Sequence, residues 1–335
     1  MKVIFFPFKS VMVLALSLVS CPASAANIEK GGDSIMGCTA TLSGEIAPED
    51  AAKLGTFMAL EGWGTDYYSG KDRLCLNSPG GSYLAAVQIS GVLNDLGIGT
   101  AVAAGDRCES ACAIIFMGGK RNGEAGHFWQ DRVLNPDGIL GFHAPRLTVG
   151  EGSYSESDLE RAYEIALKSI GSLQRLKLNP HYEFPDSLFI EMLDVPSDSM
   201  RYIETVSDAA QWSIEVGPVS FPGGDPDELA KNACLNAQAM NLEYSIDQFE
   251  VPSPLFSTSR VNGSEHYFRT VPGFLFEGAY ACVVRFELNQ FDLPVGKRRL
   301  GWFLEFDVNS PEFLEQQHLW PFMLYPPSAA LEDLD

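Results

Sequence analysis

A βαβ unit between residues 73 and 104 limits the folds open to this chain more than any other feature of its sequence. Residues 73–76 and 100–104 have the composition of short buried strands. Between them, apolar residues recur at helical spacing, and Gly97 and Gly99 end the pattern. These apolar residues are Ala85, Ala86, Ile89, Val92, Leu93 and Leu96. Because strands joined through a helix lie parallel, the segment predicts part of a parallel sheet.

The same alternation of strands and helices continues from residue 37 to residue 217, which predicts an α/β domain with a mainly parallel sheet. A helix is predicted over 48–61. A longer amphipathic helix is predicted over 155–176, with Ser157 and Glu160 as its capping box.

Composition divides the chain into four segments. Residues 1–25 have the features of a signal peptide, 26–217 form the α/β domain, 218–226 are a turn-rich linker, and 227–335 predict a smaller β-rich domain. The last of these predictions depends on strand-like runs at 280–288 and 300–308.

The amino-terminal segment predicts export. Two lysines accompany an apolar run at 11–19, and the small residues at 23–25 form a cleavage site. Cleavage after Ala25 would deliver the protein to the periplasm or the cell exterior. The alternative is a lipoprotein signal in which Cys21 carries a lipid, and only then would a membrane be a partner.

Acidic residues outnumber basic ones by 44 to 23, which gives a formal net charge of -21. Removal of the signal would take away two lysines and no acid, so the charge would become -23. Such a charge repels phosphate groups, and we therefore expect no nucleic-acid partner.

Six of the seven cysteines lie after the signal, and an even number in an exported protein predicts disulfides. Cys234 and Cys282 are the pair we expect first, because they are the only two in the carboxy-terminal third. The tightly spaced pairs typical of zinc sites are missing from the sequence, as are nucleotide-binding and calcium-binding motifs. We therefore expect neither a metal nor a cofactor.

Three short segments carry the residues from which we infer chemistry. They are Asn77-Ser78-Pro79-Gly80-Gly81, Glu109-Ser110-Ala111, and His143-Ala144-Pro145. The serine follows the second glycine by 29 residues, and the histidine follows the serine by 33.

This order and spacing resemble the Clp-type serine peptidases (ClpP-like proteins) of the crotonase superfamily. The resemblance implies a superhelix of repeated ββα units, with Ser110 as nucleophile and His143 as its base. It also implies that Gly81 and Ala111 donate backbone N–H groups to an oxyanion, with Gly80 in the same substrate-binding loop. Self-association into a ring or trimer is a further expectation, without a fixed number of subunits.

The residue types support the same chemistry. A serine hydroxyl needs an adjacent base to become a nucleophile, and the apolar run at 111–117 predicts a buried helix that starts beside Ser110. The N-terminus of such a helix stabilises an oxyanion. Two structural alternatives remain open at this stage: Ser110 as a helix N-cap and His143 as a hydrogen-bonded core histidine.

The chain departs from the family pattern at the orienting acid. Asp198 is the nearest candidate, with Asp194 in reserve, but strict alignment on Tyr202 puts Met200 at the acid's position. Asp198 could equally serve as an N-cap.

A second departure surrounds the nucleophile. Glu109 would disfavour an oxyanion if it pointed inward, and Cys108 and Cys112 flank the serine. These cysteines could be bridged to each other or paired elsewhere, and either one as the nucleophile is a rival interpretation.

The sequence therefore predicts an exported serine peptidase that cleaves peptides or unfolded proteins. Exported proteins meet no ATP, so we expect no ATPase partner. The alternative is a catalytically inactive module that binds peptides or protein partners, and an acyl-CoA enzyme is a third, weaker interpretation.

Overall fold

The computed structural model describes residues 25–64, 72–123, 128–146, 152–196, 198–243 and 320–334, together with the backbone of five strands between residues 256 and 318. The predicted signal peptide, apart from Ala25, lies outside the described residues. In the described part, no helix is both long enough and apolar enough to cross a bilayer.

The strands are β1 (Asn27–Lys30), β2 (Ala40–Ser43), β3 (Arg73–Asn77), β4 (Gly99–Val102), β5 (Arg107–Glu109), β6 (Lys120–Asn122), β7 (Phe128–Gln130), β8 (Arg132–Leu134), β9 (Ile139–Phe142), β10 (Arg201–Tyr202), β11 (Glu215–Val216), β12 (Phe256–Asn262), β13 (Glu265–Thr270), β14 (Ala281–Glu287), β15 (Gly301–Glu305) and β16 (Glu315–His318). The helices are α1 (Asp50–Glu61), α2 (Tyr83–Leu96), α3 (Ala111–Phe116), α4 (Glu156–Leu176), α5 (Asp186–Asp194), α6 (Val206–Gln211) and α7 (Pro226–Leu242). Two 3₁₀ turns, Pro321–Leu324 and Leu331–Asp333, follow in the described residues 320–334.

The fold is α/β with mixed sheets, as the alternating pattern predicts. The largest sheet has the order β1-β2-β3-β4-β8-β11, in which only the β1–β2 pair is antiparallel. A second sheet has the order β10-β9-β5, and its β5–β9 pair is parallel. The predicted βαβ unit is present as β3, α2 and β4.

Local signals place the helices well, with one difference in detail. The helix predicted over 155–176 is α4, but its capping box is formed by Ser155 and Asp158, not by Ser157 and Glu160. Both pairs have the residue spacing of a capping box. The N-cap is the residue just before the helix whose backbone is not helical, and in the structure this residue is Ser155.

The hydrophobic core does not stop at the predicted domain boundary near residue 217. Leu229 and Ala233 of α7 and Phe322 of the last segment belong to the same buried cluster as Leu42 and Phe116 of the α/β domain. The antiparallel sheet β12-β13-β14-β15-β16 lies between α7 and that last segment in the chain.

Two disulfides join described cysteines, Cys38–Cys75 and Cys108–Cys112. Cys234 is also disulfide-bonded. The side chain of Cys282, its predicted partner, lies outside the described residues. Disulfides persist in oxidising compartments, so these bonds indicate a location outside the cytoplasm.

Candidate active site

Ser110 lies in a sharp turn between β5 and α3. Its backbone has φ 57° and ψ -123°, a conformation that residues other than glycine rarely adopt. Its N–H group donates to the Gly141 carbonyl of β9 at 2.9 Å, which ties the turn to the second sheet. Although Ser110 precedes α3, its side chain makes no capping hydrogen bond. The N-cap interpretation of this serine therefore fails, and its hydroxyl is left for other contacts.

The disulfide between Cys108 and Cys112 encloses this turn. The two Cα atoms lie 5.1 Å apart, one in the middle of β5 and the other in the first turn of α3. Both cysteines are fully buried. Because both sulfur atoms are in the bridge, neither cysteine is a thiolate nucleophile in this state.

The glycine-rich loop packs directly against the serine turn. A Cβ atom on Gly80 would lie 2.7 Å from Ser110 Cβ and 3.1 Å from the Ala111 nitrogen. A Cβ atom on Gly81 would lie 2.2 Å from the carbonyl oxygen of Ile46. Both glycines also have positive φ angles, 103° and 137°. Side chains are therefore excluded at both positions by contact and by conformation.

Two backbone donors in this region lack acceptors. The N–H groups of Gly81 and Ala111 have no hydrogen-bond partner among the described residues. Their neighbours are satisfied, since the nitrogen of Gly80 donates to Ser78 Oγ at 3.1 Å and that of Ser82 donates to the Ile46 carbonyl at 2.7 Å. Unpaired donors beside a serine hydroxyl can stabilise an oxyanion.

His143 follows β9 and lines the same cleft as Ser110, Gly80, Gly81 and Ala111. The cleft has a volume of about 610 Å³. In the described structure no direct hydrogen bond joins Ser110 and His143, and His143 Nδ1 is buried without a partner. His143 is therefore not a hydrogen-bonded core histidine. Catalytic hydrogen bonds are often long before substrate binds, and both residues face one space.

The structure brings neither predicted acid to His143. Asp198 and Asp194 are both exposed, and in the described residues neither carboxylate accepts a hydrogen bond from the histidine. Met200 lines the cleft instead, at the position that strict alignment assigns to the acid. Its side chain packs over Gly141, where an added Cβ would lie 2.5 Å from Met200 Cγ.

Glu109 points away from the cleft although it adjoins the nucleophile. Its carboxylate accepts a hydrogen bond from the Tyr202 hydroxyl at 3.0 Å and pairs with Arg107. It lines a separate cleft of about 800 Å³. The hydrogen bond to Glu109 raises the pKa of Tyr202, with a smaller contribution from burial. The sequence could not show that the Glu109 side chain points away from the cleft. The alternation of side chains along β5 explains it.

Sequence reasoning missed several apolar side chains of the cleft. Ile114 comes from α3, Ile165 from α4 and Met192 from α5, and all three line the cleft with Met200. Helical periodicity gave no signal for such residues, because it does not separate a cleft wall from core packing.

Neither a family model nor any curated protein sequence matches this chain significantly. The geometry of the cleft is therefore the basis for inferring its function.

Proposed function

We propose that the chain is a serine peptidase with a ClpP/crotonase-like α/β domain and that Ser110 and His143 act as its catalytic pair. The observation that carries this proposal is the grouping in one cleft of a serine hydroxyl free of capping, two unpaired backbone N–H groups and a histidine. This grouping supports acyl transfer more than any other chemistry, because each part has a role in that reaction.

In the proposed reaction, His143 takes the proton of Ser110 as Oγ attacks the carbonyl carbon of a peptide bond. The oxyanion of the tetrahedral intermediate accepts hydrogen bonds from the Gly81 and Ala111 N–H groups. His143 returns the proton to the leaving amine, and an acyl-enzyme remains on Ser110. Water, deprotonated by the same histidine, then releases the acid product and restores the serine.

The walls of the cleft favour substrates with an apolar side chain beside the scissile bond. Ile114, Met192 and Met200 surround the catalytic pair, while Glu45 and Arg146 supply charge elsewhere in the lining. Unfolded segments expose such side chains, so we propose peptides and unfolded proteins as substrates. An exported enzyme would act without ATP, in the periplasm or outside the cell.

The test is covalent labelling of the mature protein by a fluorophosphonate. We expect labelling of the wild type and its loss in Ser110→Ala and in His143→Ala. Ser169→Ala is the matched control, because Ser169 lines the same cleft but donates its hydroxyl to the Ile165 carbonyl at 2.8 Å. This control should label like the wild type.

One observation favours a second candidate, a module that binds peptides without cleaving them. His143 Nδ1 has no acidic partner among the described residues, and an orienting acid usually fixes the tautomer of the base. Absence of labelling in a folded wild type that still binds apolar peptides would support this candidate and refute catalysis.

A further inference from the structure

Asp50 is a fully buried acid that the proposed reaction does not use. Its Oδ2 accepts hydrogen bonds from the Ala26 nitrogen at 2.9 Å and the Ala47 nitrogen at 2.7 Å. Its Oδ1 is buried and has no hydrogen-bond partner in the described part of the chain. Among the described residues the nearest cation is Lys53 Nζ at 4.0 Å from Oδ1, and this ammonium donates to the Ala26 carbonyl instead.

A buried carboxylate with an unsatisfied oxygen is unfavourable unless a charged donor reaches it. The structure places the backbone nitrogen of Ala26 beside this carboxylate. Ala26 is itself fully buried, immediately before β1, and the pairing of β1 with β2 holds its nitrogen against Asp50. The cleavage site predicted from the sequence is the bond that precedes this nitrogen.

We propose that removal of the signal peptide creates the partner of Asp50: the new α-ammonium group of Ala26 forms a buried ion pair with its carboxylate. A signal peptidase hydrolyses the Ala25–Ala26 bond with one water molecule. The hydroxyl group goes to the Ala25 carbonyl carbon, and the Ala26 nitrogen takes a hydrogen and, at neutral pH, a further proton.

The ammonium group offers three N–H donors where the peptide nitrogen offered one. It keeps the hydrogen bond to Oδ2 and supplies a donor for Oδ1, so both oxygens are satisfied and the buried charge is neutralised. Cleavage at any bond nearer the amino terminus would leave an amide at this place, with one donor and no charge.

The ion pair lies at one end of a hydrogen-bonded path to the glycine-rich loop. The Asp50 carboxylate accepts a hydrogen bond from the Ala47 nitrogen. The adjacent Ile46 makes two hydrogen bonds with the glycine-rich loop: its nitrogen donates to the Gly80 carbonyl at 2.8 Å, and its carbonyl accepts from the Ser82 nitrogen at 2.7 Å. Gly81 lies between these two bonds. The ion pair therefore stabilises the loop that presents the Gly81 N–H group. Only the consequence of this for catalysis rests on the proposed function.

The experiment compares a chain that begins at Ala26 with one that carries a single additional glycine before Ala26. Each is made with Asp50 intact and with Asp50→Asn, and all four carry Ser110→Ala so that activity plays no part. Thermal unfolding is measured, together with the rate at which a reagent selective for α-amines at neutral pH acylates the chain terminus. Glu49→Gln, an exposed neighbour, is the matched control.

We expect the chain that begins at Ala26 to unfold roughly 5–15 °C above the extended chain, since breaking a buried ion pair is strongly destabilising. The difference should disappear in Asp50→Asn and persist in Glu49→Gln. Acylation of the Ala26 amine should be at least about tenfold slower than that of the added glycine, because a buried amine reacts only when the structure around it opens locally.

Equal unfolding temperatures, a difference that survives Asp50→Asn, or equal acylation rates would each overturn the proposal. So would an exported protein whose first residue is Cys21 or any residue other than Ala26. If Asp50→Asn fails to fold, the acylation rates of the two chains with intact Asp50 decide alone. Failure of Ser110 to react with a fluorophosphonate would leave this proposal standing, because none of its readouts involves Ser110.

Discussion

Ser110 has a backbone conformation that costs on the order of 1–3 kcal/mol for a residue with a side chain. A conformation of this kind persists only where the surroundings impose it. Here they are the hydrogen bond to Gly141, the packing of Gly80 against Ser110 Cβ, and the disulfide that encloses the turn. As a result, the Ser110 hydroxyl group lies in the cleft and does not cap the N-terminus of α3.

At the same scale, Gly81→Ala tests the oxyanion site. The added Cβ would lie 2.2 Å from the Ile46 oxygen and 2.8 Å from its nitrogen, so the loop must shift and carry the N–H donor away. We expect fluorophosphonate labelling to slow by about 10²- to 10³-fold, the usual effect of losing one such donor. Circular dichroism should show a folded protein, and labelling at the wild-type rate would contradict the assignment of this donor.

Met200→Asp tests whether the missing acid limits turnover. Met200 lines the cleft that holds His143, and a carboxylate there would offer a partner to Nδ1, which has none among the described residues. Replacing the acid of a triad by its amide lowers kcat by about 10⁴-fold, so we expect this substitution to raise peptide cleavage by tenfold or more.

Met200→Asn is the control for this prediction, because it has a similar shape without the charge and should not raise the rate. A lower rate in Met200→Asp, with the fold intact, would mean that His143 does not depend on an acid at this position.

At the scale of secondary-structure elements, the two described disulfides differ in what they connect. Cys38–Cys75 joins the segment before β2 to β3 across 37 residues, whereas Cys108–Cys112 joins β5 to α3 across only four. Loop-closure entropy predicts stabilisation by about 4 kcal/mol for the first and about 2 kcal/mol for the second.

Replacing the two cysteines of one disulfide by serines, in one variant for each disulfide, should therefore affect the free energy of unfolding and the reactivity of Ser110 to different degrees. Loss of Cys38–Cys75 should lower the free energy of unfolding more, and loss of Cys108–Cys112 should slow labelling of Ser110 more, because only the second bond encloses the nucleophile. Urea unfolding and labelling rates of both double variants check this. The same order of effects in both measurements would contradict it.

Glu215 in β11 gives the fold a pH dependence. Burial raises its pKa from 4.5 to about 7, the nearby charge of Asp131 adds to this, and Arg73 and Arg121 oppose it. The folded state therefore binds this proton more tightly than the unfolded state does. The resulting stability is fully present below pH 4.5 and is lost as the pH rises through about 7.

Glu215→Gln should remove this loss, because glutamine is neutral at every pH. At pH 8 we expect the variant to be more stable than the wild type by about 3 kcal/mol, with little difference at pH 4.5. Urea unfolding at both pH values measures this. An equal difference at the two values would show that the substitution acts through packing and not through the proton.

At the scale of the whole molecule, one hydrophobic core joins parts that are distant in the chain. Asn236 of α7 donates to the Met323 and Tyr325 carbonyls at 2.8 and 3.0 Å, and Val206 of α6 donates to the Ala329 carbonyl at 3.0 Å. Phe322, Met323 and Leu324 are fully buried. The last segment is thus part of the α/β domain, although more than 70 residues separate it from α7 in the chain.

A chain that ends at residue 226 should therefore fail to fold. Each buried leucine or phenylalanine contributes about 1.5–3 kcal/mol, so loss of α7 and the final segment removes more than a typical domain's net stability. Replacement of residues 244–319 by a flexible linker of about ten residues should leave a folded protein, because it keeps both core segments and spans roughly 17 Å. Soluble yield and thermal unfolding distinguish the two, and a stable chain ending at 226 would refute the shared core.

The sequence by itself determined the α/β class, the βαβ unit and the local settings of Ser110 and the glycine pair. These follow from periodicity and turn chemistry within about 20 residues, where the chain's own geometry fixes the outcome. Only the tertiary structure decided that Cys38 pairs with Cys75, that Glu109 faces away from the cleft, that Met200 and His143 line the same cleft, and that Ala26 reaches Asp50. Each of these depends on contacts between segments distant in sequence or on the face a strand turns to the core, and burial of apolar surface in the assembled core selects both.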